Sequence, residues 1–205
     1  MVTVNGSSKE LQEPTFSTRH LVNSPLPQKP ASDITIGHAV AADAAAIAQL
    51  GADTFTATFG FSVPPHDLAD FLATTYTAAA VESELNDTTI ATFAARDSTG
   101  KVLGFVQLVR GLSELCVPGD AATHAELRRL YVDTTAHGRG IGSKLIAAVE
   151  AQARAEGFKQ LWLTVWEDNV NAQRLYQRLG YMKVGHTDFA TGGCIQTDWV
   201  LSKRL

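Results

Sequence analysis

A glycine-rich turn between a strand-like run and a helix-like run constrains this chain more than any other feature. It lies within residues 130–145, which read LYVDTTAHGRGIGSKL. Glycine has no Cβ, so the backbone at Gly138, Gly140 and Gly142 can approach a ligand closely. The N–H groups of a first helical turn lack partners within the helix and lie at its positive end. The turn therefore predicts a site for an anion such as a pyrophosphate, with Arg139 adding positive charge.

Other interpretations of the glycine pattern alone stay open. The turn could be a tight connection from a strand to a helix that binds nothing. A Rossmann dinucleotide site needs an early strand and an acidic residue about 20 positions later, and this turn comes late in the chain. A P-loop is excluded, because no Gly-Lys-Ser/Thr ending is present.

A second informative segment follows at residues 166–181. Asn171 stands at the start of a predicted helix, and Tyr176 comes five residues later, about 1.4 helical turns. The two side chains could therefore border one cleft. An amide can hydrogen-bond a peptide-like ligand, and a phenol can donate a proton. Taken singly, helix capping would explain Asn171 and core packing would explain Tyr176.

The order of apolar periodicities predicts an α/β (α+β) domain with a mixed sheet. Residues 1–32 hold four prolines and no clear period, which predicts a flexible or loosely packed N-terminal tail ahead of a domain over 33–205. The predicted strands are 34–36, 89–95, 102–109, 127–132, 161–166, 181–186 and 196–201. The predicted helices are 43–50 with Asp43 as its N-cap, one from 64, 78–85, 143–156 and 170–179.

Composition excludes several classes of function. The chain has 17 basic and 21 acidic residues, a net charge of −4, which argues against nucleic-acid binding. No run of 18 apolar residues is present, so no membrane span is expected, and the N-terminus lacks the pattern of a secretory leader. The two cysteines, Cys116 and Cys194, are far apart. They indicate a reducing compartment, hence a cytoplasmic protein, and no metal site.

The glycine turn and the later Asn–Tyr segment together resemble the GNAT acyltransferase superfamily. The resemblance rests on His137-Gly-Arg-Gly-Ile-Gly142 and on Asn171-Ala-Gln-Arg-Leu-Tyr176. It implies a mostly antiparallel central sheet flanked by helices, with a splayed pair of strands that holds acyl-CoA. His137 stands where the family most often has Arg or Gln, and Asn171 directly precedes Ala172, a compressed spacing. The cofactor-binding residues that it implies are Leu130, Tyr131, Val132, His137, Gly138, Arg139, Gly140, Ile141, Gly142, Ser143 and Asn171.

A narrower resemblance concerns the acceptor. The segments 54–59, 126–132, 161–169 and 196–198 look like the PaiA-type polyamine N-acetyltransferases, which act on spermidine and spermine. This implies acetyl-CoA as cosubstrate and a small polyamine-like or other primary amine as acceptor. It also allows a homodimer, because domains of this family often pair through edge strands.

Acetyl transfer to an amine sets three chemical tasks. Backbone N–H groups around Leu130 to Val132 could polarise the carbonyl. An amine with a lysine-like pKa must lose a proton, which costs roughly 4 kcal/mol at neutral pH. Glu126 is the first candidate for that base, and Glu167 and His186 follow. The resemblance implies Tyr176 as the acid that protonates the leaving thiolate.

The acceptor pocket is expected to include Phe55, Phe59 and Tyr76, together with the loop at 111–125. Neither cysteine lies in a motif, so direct attack within a ternary complex is expected rather than an acyl-enzyme. Three alternatives stay open: an amine of a protein or peptide as acceptor, an amine-bearing antibiotic as acceptor, and a CoA-binding regulatory module without turnover.

Overall fold

Seven β-strands and five α-helices make up residues 33–205, the part of the chain that the computed structural model describes. The tail predicted for residues 1–32 lies outside the described residues. The strands are β1 (Thr35–His38), β2 (Ile90–Arg96), β3 (Val102–Arg110), β4 (His124–Val132), β5 (Gln160–Trp166), β6 (Met182–Thr191) and β7 (Cys194–Arg204). The helices are α1 (Ala44–Phe59), α2 (Pro65–Thr75), α3 (Ala78–Leu85), α4 (Ile141–Ala155) and α5 (Val170–Arg178).

The strands form one sheet in the order β1-β2-β3-β4-β5-β7-β6. Every neighbouring pair is antiparallel except β4 and β5, which are parallel. Helices α1 and α3 pack against one face of the sheet, and α4 and α5 pack against the other. The expected fold class, a mixed and mostly antiparallel sheet flanked by helices, is confirmed. Within residues 33–205 no helix combines the length and apolar character that a membrane crossing requires.

Strand β5 divides the core from the cavity described below. Leu161, Leu163 and Val165 belong to the main apolar core, together with residues of α4. Trp162 and Trp166 point to the other face, as the two-residue period of a strand requires. A single strand therefore stabilises the fold with one face and lines a cavity with the other.

The parallel pairing of β4 and β5 is short. It covers only the pair Glu126–Trp162 and the two pairs before it, after which the two strands diverge. Strand β4 also has a bulge: between Phe105 and Gln107 of β3 its register gains one residue. Arg129 lies in this bulge with a φ of 52°, a left-handed conformation uncommon outside glycine. The splayed strand pair expected from the sequence is thus present.

The helices follow their sequence signals closely. Pro65 is the first residue of α2, where its missing N–H is not needed. The Thr77 side chain accepts a hydrogen bond from the Ala80 N–H and so caps α3. Asp43 holds the N-cap position of α1, but its side chain makes no capping hydrogen bond. Its carboxylate instead pairs with Arg96 and accepts from the Val40 N–H. Helix α1 continues to Phe59, beyond the expected 50.

Candidate active site

A cavity of about 600 Å³ lies where β4 and β5 diverge. Its walls come from α1, α2, the loop before β4, the four strands β4 to β7 and the start of α5. The residues that line it include Phe55, Phe59, Phe71, Tyr76, Glu114, Glu126, Arg128, Arg129, Leu130, Tyr131, Trp162, Thr164, Trp166, Asn169, Tyr176, Asp188 and Asp198.

Aromatic rings form the wall of the cavity on the side of α1 and α2. The ring centroids of Phe55 and Phe59 are 4.8 Å apart, and those of Phe55 and Tyr76 are 6.1 Å apart. The structure thus brings together the three side chains that the sequence assigned to the acceptor pocket. Phe71 of α2 joins them, with its centroid 4.5 Å from that of Phe55. Trp166 continues the wall at 5.6 Å from Phe59.

The two arginines of the cavity are already paired. The guanidinium of Arg128 donates two hydrogen bonds to the Glu126 carboxylate, the shorter at 2.7 Å. Arg129 donates to Glu84 of α3 at 2.6 Å, and its guanidinium lies over the ring of Tyr76. The carboxylates that line the cavity are Glu114, Glu126, Asp188 and Asp198. The lining therefore holds four carboxylates and two guanidinium groups, which is an excess of negative charge.

Asp198 is a site residue to which the sequence analysis gave no role. It lies on β7, opposite Trp166 of β5 and Thr187 of β6, and only 9% of it is exposed. Burial raises the pKa of its carboxyl from 3.8 to about 6, against the lowering effect of a hydrogen bond with Thr164. The available signal was the alternation of β7, which places Asp198 on the same side of the strand as Val200, the partner of Trp162 in a small apolar cluster.

Tyrosines surround the point where β4 diverges from β5. The Tyr76 hydroxyl donates a hydrogen bond to the Tyr131 hydroxyl at 2.9 Å. Tyr176 of α5 is 6% exposed and packs against Tyr181 with a centroid distance of 5.7 Å. Burial raises the pKa of Tyr176 well above its usual value of 10, with a smaller contribution from Tyr131. The phenol of Tyr176 is therefore protonated across the range of pH in which enzymes are assayed.

The glycine turn opens α4 beside the divergent strands. Gly138 and Gly140 have φ values of 76° and 73°, which favour glycine because a Cβ would strain the backbone there. Gly140 is the N-cap residue of α4, and the buried Ile141 anchors the first turn in the core. A Cβ on Gly142 would point between Leu130 of β4 and Leu175 of α5. The first-turn N–H groups, including that of Ser143, therefore lie at one end of the opening between the strands.

Some residues that the family resemblance assigned to cofactor binding do not line the cavity. The His137 ring nitrogen Nε2 lies 3.0 Å from the Val132 carbonyl oxygen, so this side chain is occupied within the turn. Arg139 is exposed. Leu130 and Tyr131 line the cavity, whereas Val132 packs on the core.

The expected spacing at the start of α5 needs correction. Asn169 is the cap of α5: its side chain accepts a hydrogen bond from the Ala172 N–H at 3.1 Å, and it lines the cavity. Asn171 lies on the exposed side of the helix and does not line the cavity. Asn169 precedes Ala172 by three residues and Tyr176 by seven. Counted from Asn169, the segment therefore reads Asn-x-x-Ala-x-x-x-Tyr, and the compressed spacing noted for Asn171 disappears. Counting from Asn169 in the sequence would have found it.

Only one of the three residues predicted as the general base lines the cavity. Glu126 lines the cavity and is 8% exposed, but Glu167 and His186 are exposed and do not line it. Among residues 33–205 no group of three His, Cys, Asp or Glu side chains could hold a metal ion. Cys116 and Cys194 also lie outside the cavity lining.

A mixed sheet that splits at a parallel strand pair, with a glycine turn opening a helix beside the split, is the architecture that the resemblance to acyltransferases implied. The chain belongs to the acetyltransferase (GNAT) family, whose model matches residues 51–181, more than half of the chain. It is therefore an N-acetyltransferase of that family.

Similar proteins agree with this assignment. The chain is 29% identical over 163 residues to an uncharacterized N-acetyltransferase of Mycobacterium bovis, covering 80% of this chain and 98% of that protein. It is 36% identical over 64 residues to the spermine/spermidine N(1)-acetyltransferase of Bacillus subtilis, covering 31% of this chain and 42% of that protein. In fold it resembles the PaiA N-acetyltransferase of Thermoplasma acidophilum in complex with coenzyme A. That match has a TM-score of 0.65 at 18% identity and covers 84% of this chain and 99% of the other.

Proposed function

We propose that the protein transfers an acetyl group from acetyl-CoA to a primary amine of a small cationic acceptor of the polyamine type, by direct attack in a ternary complex. The observation that carries this proposal is the cavity at the split between β4 and β5, which combines aromatic walls with an excess of carboxylates.

The charge of the cavity favours a cationic acceptor. Glu114, Asp188 and Asp198 form no ion pair within residues 33–205, while both arginines of the cavity are engaged. A polyamine carries several ammonium groups on a flexible apolar stem. Carboxylates attract the ammonium groups, and rings such as Phe55 and Phe59 can contact both the stem and the cation.

The residues present also fit acetyl-CoA. The positive-φ glycines Gly138 and Gly140 leave the turn open, because a Cβ at either would meet no atom within 4 Å. We propose that the first-turn N–H groups of α4 hold the pyrophosphate, that the pantetheine arm lies between the diverging strands, and that Asn169 contributes to the wall of that opening. When bound, acetyl-CoA supplies an activated thioester.

The chain supplies positioning and hydrogen bonds for the transfer. A backbone N–H near the bulge, at Leu130 or Tyr131, would polarise the carbonyl. Tyr176 would donate a hydrogen bond to the departing sulfur. Because burial raises the pKa of Tyr176 above that of a thiol, a hydrogen bond is favoured over full proton transfer from this phenol.

The two cysteines support transfer without an acyl-enzyme. The Cys194 thiol donates to the Ser62 carbonyl at 3.4 Å, and Cys116 packs tightly against Gly185. Both are free thiols, which fits the reducing cytoplasm where we place the protein. The sheet has β1 and β6 as its edge strands, and a homodimer through one of them is part of the proposal.

The acceptor is tested by following thiol release from acetyl-CoA with a panel of amines. The panel holds spermidine, spermine, free amino acids, an aminoglycoside and a peptide with a free N-terminus. Release with the polyamines alone supports the proposal. Release with the peptide or the aminoglycoside alone would replace the acceptor while keeping the chemistry. Binding of acetyl-CoA without release from any amine would favour a regulatory module.

A further inference from the structure

Asp198 is a buried carboxylate that lines the cavity and has no catalytic role in the proposed function. It lines the cavity from β7, where it pairs with Trp166 at the end of β5. Tyr131 of β4 lies close enough to Asp198 and to Tyr176 for their charges to act on one another. The carboxylate and the proposed sulfur-binding phenol thus border the same small region.

We propose that Asp198 is the general base of the acetyl transfer, taking the proton from the ammonium group of the acceptor. This inference rests on the proposed function, because it assumes an amine acceptor in this cavity. It differs from the sequence analysis, which placed Glu126 first.

Glu126 is the weaker candidate because its carboxylate is already occupied. Arg128 donates from Nε to one oxygen at 3.2 Å and from Nη2 to the other at 2.7 Å. Both oxygens of the Glu126 carboxylate thus already accept a hydrogen bond from a guanidinium, which leaves neither free for the proton of an amine. Asp198 is held by a neutral partner, the Thr164 hydroxyl, and forms no ion pair within the described residues.

The titration of Asp198 suits this task. Burial raises the pKa of its carboxyl to about 6, so at neutral pH it is ionised and yet more basic than an ordinary aspartate. The titratable groups around it are Glu167 in the turn after β5, Tyr131 on β4 and Asp188 on β6. Glu167 raises the pKa of Asp198 further, because two like charges disfavour each other.

Asp198 accounts for one of the two protons that the ammonium nitrogen loses. Asp198 takes one proton from the ammonium group, which leaves a nitrogen lone pair free to attack the thioester carbonyl. The C–N bond forms and the C–S bond breaks. The second proton passes from the nitrogen to the sulfur, which leaves as the thiol. The proton on Asp198 then passes to solvent, so the net products are the acetamide, free CoA and one proton.

The decisive experiment is the pH profile of kcat/KM for the wild type and for Asp198→Asn, with whichever panel amine turns over. In the wild type kcat/KM should rise with pH up to about 6 and then level off. Without the base, only amine that is already neutral can react. The variant should therefore lose about 10²-fold at pH 7 and keep rising towards the pKa of the amine, near 10.4.

Three further measurements separate a base from a binding group. A weakly basic amine, neutral at pH 7, should react with Asp198→Asn nearly as fast as with the wild type. Glu167→Gln, outside the cavity, should shift the rise to lower pH without removing it. The affinity of Asp198→Asn for CoA, measured by calorimetry, should equal that of the wild type.

If kcat/KM of Asp198→Asn still levels off above a pH of about 6, the proposal is wrong. It is also wrong if Asp198→Asn loses only affinity for the amine and keeps its kcat. If the polyamines are inert and another amine is acetylated, the acceptor class is wrong. The role of Asp198 is then still decided by the profile measured with that other amine.

Discussion

The hydroxyl of Tyr76 donates a hydrogen bond to the hydroxyl of Tyr131 at 2.9 Å, and so joins the end of α2 to the bulged strand β4. The Arg129 guanidinium lies over the Tyr76 ring and is held by Glu84 of α3. These contacts connect the helices of the aromatic wall with the strand that would present the acetyl group. The position of the acceptor pocket relative to β4 is therefore fixed by side chains as well as by the core.

The losses of stability from removing the two hydroxyls of this pair should not add. Tyr76→Phe leaves the partly buried Tyr131 hydroxyl without its donor, which should lower the free energy of unfolding by about 1 to 3 kcal/mol. The double variant Tyr76→Phe, Tyr131→Phe should lose less than the sum of the two single losses. Urea unfolding of the four proteins measures the coupling, and strictly additive losses would show that the bond contributes nothing.

A methyl group at Gly142 should weaken CoA binding without harming the fold. The added Cβ would meet Leu175 at 3.6 Å, an ordinary contact, and alanine is a better helix former by roughly 0.5 to 1 kcal/mol. Gly142→Ala should therefore be at least as stable as the wild type and bind CoA about tenfold more weakly, or about 1.4 kcal/mol. Gly140→Ala is the matched control: with a φ of 73° it should lose roughly 1 to 2 kcal/mol of stability. Unchanged CoA affinity in Gly142→Ala would remove the opening beside α4 from the proposed binding site.

Loss of the Tyr176 hydroxyl should slow the transfer and leave binding intact. The phenol stays protonated because burial raises its pKa, so it remains a donor at every assay pH. Tyr176→Phe should lower kcat by about 10²-fold, with little change in CoA affinity measured by calorimetry. The phenylalanine preserves the ring contact with Tyr181, so a fall in melting temperature is not expected. If CoA affinity falls and kcat does not, Tyr176 is a binding residue.

Asp198 should make the protein less stable as the pH rises. Its unfolded carboxyl titrates near 3.8 and its folded carboxyl near 6, so between these values the folded state holds more protons. The free energy of unfolding should therefore fall through this window, and the full loss is present above about 6. Relative to the wild type, Asp198→Asn should gain roughly 1 to 3 kcal/mol between pH 4 and pH 7. Urea unfolding at both pH values tests this, and a constant difference between the two proteins would contradict it.

The sequence predicted the elements of the fold well where the periods were strong. Helix α3 was placed at its observed bounds, and β3, β5 and α5 were placed within one residue at each end. The hairpin of β6 and β7 was underestimated. Strand β6 lies at the edge of the sheet, so polar residues such as His186 and Asp188 interrupt its apolar pattern without ending the strand.

The site was harder to predict because it depends on register between distant strands. Phe55, Phe59 and Tyr76 were assigned to an acceptor pocket from their chemistry and from a family resemblance, and all three line the cavity. Asp198 was not assigned to the pocket, because its position in the cavity arises from its pairing with Trp166 and Thr187. The alternation of β7 shows only that Asp198 shares a face with Val200, and that this face lines a cavity depends on the pairing of β7 with β5.

The two faces of β5 have a consequence for how this sequence can vary. Side chains alternate between two faces over Gln160–Trp166, with leucines and a valine on one face and tryptophans on the other. Inserting or deleting one residue within the strand would turn every later side chain to the opposite face, burying Trp166 where Val165 belongs and emptying the cavity wall. Substitutions can accumulate independently on each face, but length changes cannot. Among homologues, gaps should therefore be absent from this strand and confined to the connections on either side.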